Sequence, residues 1–185
     1  MKTYLALLRG INVGGRNVIR MADLTKCFEE SGFDRVATFI QSGNVLFNTS
    51  DRDPQHVASR IEAAIAQRFR CESKAVVLSY RQLKSVVDCA PAGFGNDPGR
   101  FRYDVTFLRP PLEAADLMRL IPTREGVDRA YAGQGVLYFS RVIARAAQSR
   151  LSKIVSLPIY KELTIRNWNT TTALLQLMTP ARQPR

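Results

Sequence analysis

Apolar positions along this chain follow two periods, one of strands and one of helices. Residues 3–9 are a near-continuous apolar run and read as a first strand. Met21, Leu24, Cys27 and Phe28 recur at the spacing of one helix face over residues 20–31, and Gly32 stops that helix because glycine tolerates a left-handed backbone. Residues 36–40 and 45–47 read as two strands joined at Ser42-Gly43-Asn44, a tight-turn signal. Asp53-Pro54 opens a second helix, with Asp as the cap and Pro at the first position. Its apolar stripe is Val57, Ile61, Ala64 and Ile65. Residues 75–78 close the unit as a strand. The order β-α-β-β-α-β is that of a ferredoxin-like unit.

The order then repeats. Ser79-Tyr80-Arg81-Gln82 has capping-box spacing and predicts a connecting helix with Leu83, Val86 and Val87 inward, ending at Pro91. Residues 91–102, with three glycines and two prolines, read as a linker. Beyond it the pattern predicts a strand at 103–108, a helix at 111–120 and strands at 127–132 and 136–140. A helix at 146–156 carrying Leu151, Ile154 and Val155 and a strand at 163–166 follow. A closing helix spans about 170–178, with Asn169 as its cap and Trp168 anchoring it to the core. The expected fold is α+β: two tandem ferredoxin-like halves, each an antiparallel sheet covered by helices, at 1–79 and 103–179. Residues 80–102 connect them, and 180–185 form a tail.

Three segments carry a family resemblance. They are Ala6 to Gly15 (ALLRGINVGG), Thr38 to Val45 (TFIQSGNV) and Thr164 to Thr170 (TIRNWNT). Together they resemble one bacterial family, catalogued as domain of unknown function 1697, in the right order and over nearly the whole chain. The resemblance implies two ferredoxin-like halves. It implies no activity and hands over no catalytic residue.

Composition narrows the classes. The chain has 185 residues, 45% hydrophobic and 23% charged, close to an ordinary globular protein and unlike a collagen, a coiled coil or a disordered chain. No apolar run approaches membrane-spanning length, and Arg9 ends the N-terminal run too early for a secretion signal. Cys27, Cys71 and Cys89 are odd in number and widely spaced, which fits free thiols in a reducing cytoplasm. Basic groups outnumber acids 27 to 16, and residues 129–185 hold nine basic groups against one acid, Glu162. Such a bias suits an anionic partner, and it equally suits an arginine-rich composition with solvated side chains. His56 is the single histidine and lacks triad neighbours, and no metal-ligand spacing is present, so neither metal nor cofactor is expected.

Candidate chemistry sits in three polar segments. Arg9, Asn12, Gly14 and Gly15 follow the first strand, in a glycine-rich loop that matches neither the dinucleotide nor the Walker pattern. Gln41, Ser42 and Asn44 form the hairpin. In a βαββαβ unit the first two strands are parallel, so that loop and this hairpin emerge at the same sheet end. Arg166, Asn167 and Asn169 precede the last helix. The leading expectation is a small phosphorylated or carboxylated ligand held by these residues. One alternative is RNA or single-stranded nucleic acid, bound through Arg141, Arg145, Arg150 and Lys153 and stacked on Tyr4, Phe47, Tyr103, Phe107, Tyr138 and Phe139. Another is an assembly module. No reaction is specified, so enzyme and binding protein both stay open. No membrane partner is expected, and the chain is expected to be a monomer or small homo-oligomer.

Overall fold

The computed structural model describes residues 1–12 and 17–179. The elements run β1 (Lys2–Arg9), α1 (Met21–Glu30), β2 (Asp34–Phe39), β3 (Asn44–Thr49), α2 (Pro54–Phe69), β4 (Lys74–Ser79) and α3 (Tyr80–Asp88). After them come β5 (Phe101–Leu108), α4 (Ala114–Leu120), β6 (Asp128–Gly133), β7 (Val136–Val142), β8 (Leu163–Asn167) and α5 (Trp168–Met178). The chain divides into two compact units. One is Met1–Lys84 with the C-terminal segment from Ala173, which the sequence pattern assigns to the second half; the other is Ser85–Thr172.

The first unit holds a four-stranded antiparallel sheet in the order β2-β3-β1-β4. Alternation along β1 sends Tyr4, Ala6 and Leu8 to one face. There they join Val45, Phe47, Ala75 and Val77 under Leu24 and Phe28 of α1 and Val57, Ile61 and Ile65 of α2. Phe33 meets the Phe47 ring edge-on at 4.8 Å. Burying each Val, Leu, Ile or Phe of this core contributes about 1.5–3 kcal/mol. The start of α2 follows its sequence signal: Asp53 accepts from the Gln55 N–H at 2.9 Å and Pro54 sits in the first turn. At α3 the capping box is reciprocal. The Ser79 N–H donates to Gln82 Oε1 at 2.9 Å, and the Gln82 N–H donates to Ser79 Oγ at 3.3 Å.

The second unit holds a four-stranded antiparallel sheet in the order β6-β7-β5-β8. Leu108, Leu137, Phe139 and Leu163 pack on one face with Leu117 of α4 and with Leu151 and Ile154. On the other face Tyr138 donates its hydroxyl to the Val86 carbonyl at 2.7 Å. Phe94 is buried, with edge contacts to Tyr103, Tyr138 and Trp168. The glycine- and proline-rich stretch before β5 is therefore a packed segment.

Three expectations need correction. Residues 146–156 are not a helix. The chain there runs as 3-10 turns at Ile143–Gln148, Leu151–Ser156 and Pro158–Glu162. The Asp128 carboxylate explains the break, since it accepts from the Ser149 hydroxyl at 2.6 Å and the Arg150 N–H at 2.8 Å. These bonds hold Ser149 in an extended conformation, with ψ 137°. Next, α4 begins at Ala114 rather than at 111, because residues 109–112 close a turn in which the Leu112 N–H donates to the Arg109 carbonyl at 3.1 Å. Finally, α5 begins two residues early, and Asn167, not Asn169, caps it: Asn167 Oδ1 accepts from the Thr170 N–H at 2.7 Å. Among the described residues no helix is long and apolar enough to cross a membrane.

Candidate functional site

The loop after β1 and the β2–β3 hairpin meet at one end of the first sheet. The Leu8 N–H donates to the Gly43 carbonyl at 2.7 Å. Asn12 uses its whole side-chain amide there. Its Nδ2 donates to the carbonyls of Ile19 and Gln41, both at 3.0 Å, and its Oδ1 accepts from the Ile19 N–H at 2.7 Å. Asn44 is fully buried, and its Nδ2 donates to the Phe39 carbonyl and to Ser42 Oγ. Arg9 sits at the end of β1, where its carbonyl accepts from the Ser73 hydroxyl at 2.8 Å. Gln41 is exposed and Ser42 half-buried. Arg9, Asn12, Gln41, Ser42 and Asn44 thus share one sheet end. Gly14 and Gly15 lie outside the described residues.

The backbone of this cluster is strained. Asn12, Asn17 and Ile40 have φ of 53°, 49° and 49°. Asparagine tolerates this region through local hydrogen bonds, and Asn17 Nδ2 indeed donates to the Gly10 carbonyl. Ile40 is β-branched, so its conformation is a genuine outlier. It is also half exposed, and Val18 beside Ile19 is largely exposed. Gly43 has φ +73°, and a Cβ there would lie 2.9 Å from Leu8 and Ile11.

The third polar segment has duties within its own unit. Arg166 is buried on β8 opposite Val105, and its guanidinium donates to the Ile165 carbonyl at 2.8 Å. Desolvation draws its pKa down to about 10. Asn167 caps α5, and Asn169 lies exposed in that helix's first turn.

The stacking surface expected for nucleic acid is not open. Tyr4, Phe47, Phe107, Tyr138 and Phe139 are all buried, and Tyr103 is half-buried against Phe94. Of the basic set, Arg145 bonds Gln148, Arg150 is exposed between two 3-10 turns, Lys153 is exposed on the second of them, and Arg141 is half-buried on β7 opposite Arg102 and Asp128.

One pair went unread in the sequence. His56 Nδ1 lies 2.6 Å from Asp51 Oδ2, and Arg60 Nη1 stands 3.8 Å from the same oxygen. The Asp53 N–H, and then His56, hold the Asp51 carboxyl below its ordinary range. The signal was the spacing of Asp51 and His56 across the start of α2. Burial pushes the thiols of Cys27 and Cys71 up, away from the reactive thiolate. Among the described residues no cluster of His, Cys, Asp and Glu can hold a metal ion.

Fold and site together define an α+β protein built on two four-stranded antiparallel sheets, with polar loops fastened at the end of the first. The chain belongs to the family described as "Protein of unknown function (DUF1697)", whose model matches residues 1–138. Among solved structures it is similar to the conserved bacterial protein SP0830 from Streptococcus pneumoniae, at 25% identity and a TM-score of 0.83. That match covers 96% of this chain and 98% of the other. No curated protein matches it.

Proposed function

We propose that this is a cytoplasmic protein of two tandem ferredoxin-like halves that binds a small phosphorylated or carboxylated ligand at the loop cluster of the first unit. The strand orders β2-β3-β1-β4 and β6-β7-β5-β8 support the repeat, although 3-10 turns replace the second helix in the second half. The free thiols of Cys27, Cys71 and Cys89 support the compartment.

The observation that carries the binding reading is the Asn12 amide, which bridges Ile19 and Gln41 and holds two loops in strained geometry. Strain of about 1–3 kcal/mol per residue persists where surrounding structure enforces it, and such sites are enriched in function. Asn12 and Asn44 act as positioning residues, since their amide donors are engaged by the protein itself. The reading assigns ligand contact to Arg9, the cation of the cluster, and to the exposed Gln41 of the hairpin.

The test is a thermal-shift screen of phosphorylated and carboxylated metabolites. A ligand at about 100 times its Kd adds roughly 2.7 kcal/mol of stability. Arg9→Gln should abolish the shift, each shift being read against that variant's own ligand-free melting temperature. The reading fails if no compound stabilises the protein, or if Arg9→Gln retains the full shift.

A further inference from the structure

A different side-chain arrangement marks the start of β5. Phe101 and Tyr103 alternate onto one face of the second sheet. Arg129 of β6 and Tyr103 of β5 both pair with Ser140 of β7, so Arg129 shares that face. Ser140 is small, which lets Arg129 lean across β7 until its guanidinium carbon is 5.4 Å from the centre of the Phe101 ring. Arg100 holds its own guanidinium carbon 5.2 Å from the same ring. Neither guanidinium has a carboxylate partner among the described residues.

These groups border a cleft of about 340 Å³, within the range of small-molecule sites. Arg145 reaches its edge, donating to the Gly126 carbonyl at 3.4 Å. Two acids line it as well. Asp128 is buried and engaged by the Arg124 and Arg150 N–H groups and the Ser149 hydroxyl. Glu125 is exposed and remains the acceptor in the wall.

The chemistry of the lining is threefold. A phenyl ring and guanidinium planes offer flat surfaces for stacking. Arginines suit phosphate through paired N–H donors. A carboxylate suits an exocyclic amine. A bare phosphate would leave the ring and Glu125 unused, and a neutral aromatic would leave the cations uncompensated. We infer that this cleft binds a nucleoside phosphate with an amino-bearing base, supplied free or as a unit of a single strand. The inference is independent of the loop cluster in the first unit.

The experiment titrates the full chain by calorimetry with AMP, CMP, UMP, adenosine and inorganic phosphate, and by fluorescence anisotropy with a labelled single-stranded oligoadenylate. Arg100→Gln and Arg129→Gln alter exposed side chains and should weaken binding about tenfold each, the effect of losing one charge-assisted contact. Arg119→Gln, an exposed arginine on α4 away from the cleft, should change it by less than about twofold. Saturable AMP binding of the same strength as the oligonucleotide identifies a free nucleotide. A much tighter oligonucleotide, weakened by salt, identifies a single strand. Both uphold the site. Absence of binding, phosphate or UMP binding as tightly as AMP, or an equal loss in Arg119→Gln would overturn it.

Discussion

The side-chain amide of Asn12 donates to the main-chain carbonyl of Gln41 at 3.0 Å, fastening the loop after β1 to the β2–β3 hairpin. The same amide closes a two-way bond with Ile19. Asn12→Ala removes these bonds and puts alanine at φ 53°. The three bonds account for about 3 kcal/mol at about 1 kcal/mol each, and the left-handed alanine adds about 1–2 kcal/mol, a combined loss read in urea unfolding. Asn12→Gly loses the bonds but tolerates the backbone, and its stability should fall between the two. An Asn12→Ala variant as stable as the parent would show that the amide is not the fastener.

Gly43 and Gly135 separate two effects that glycine combines. Both have positive φ, +73° and +68°. A Cβ at Gly43 meets Leu8 and Ile11 at 2.9 Å, whereas one at Gly135 meets nothing within 4 Å. Gly135→Ala should therefore cost only the left-handed penalty, about 1–2 kcal/mol. Gly43→Ala should cost about 1–3 kcal/mol more through overpacking. Thermal unfolding of the two variants side by side checks this, and equal losses would contradict the close packing.

Elements were legible where local chemistry and burial agree. Asp53-Pro54 and the Ser79–Gln82 box both predict helix starts and both form them, because the bonds involved span two or three residues. The stretch 146–156 has helical spacing at Leu151, Ile154 and Val155, yet Asp128, some twenty residues earlier, breaks it by binding Ser149 and Arg150. No local pattern contains that bond. The candidate site divides likewise. Parallel β1 and β2 follow from element order, which brings Asn12 to Gln41, but whether an asparagine amide is open to a ligand depends on partners such as Ile19 and Phe39. Arg129 approaches Phe101 only through strand register across Ser140, and a linker reading of residues 91–102 hides it.

The corrected start of α5 has its own test. Asn167 Oδ1 accepts from the Thr170 N–H, while Asn169 stands exposed inside the helix. Asn167→Ala should cost about 1 kcal/mol, the usual loss for a removed cap. Asn169→Ala should be neutral or slightly stabilising, since alanine is the better helix former. Urea midpoints distinguish the two caps, and a larger loss at Asn169 would restore the later start.

Asp51 predicts a dependence on acid. Its folded pKa lies below the ordinary 3.8, first through the Asp53 N–H and then through His56. The folded state thus favours the carboxylate. The resulting stability is present above the unfolded pKa and disappears as pH falls through the folded value. Asp51→Asn should lower the melting temperature at about pH 5–6, and the gap to the parent should close toward about pH 2. A gap that stays constant across this range would mean that Asp51 carries no proton-linked stability.

Tyr138 makes the opposite linkage at the alkaline end. Its hydroxyl donates to the Val86 carbonyl at 2.7 Å, and desolvation, aided by nearby Cys89, pushes its pKa up to about 12. The folded state favours the neutral phenol, so its stability is complete below the ordinary value near 10 and is lost as pH rises through about 12. Tyr138→Phe leaves the buried Val86 carbonyl without this donor and should cost about 1–2 kcal/mol at neutral pH. The variant should also lose phenolate absorbance gained above about pH 11, while the gain between about pH 9 and 11 stays unchanged. Circular dichroism over the same range establishes that the fold persists. If the lost absorbance instead falls near pH 10, the Tyr138 hydroxyl is exchanging with solvent and the bond to Val86 does not hold it.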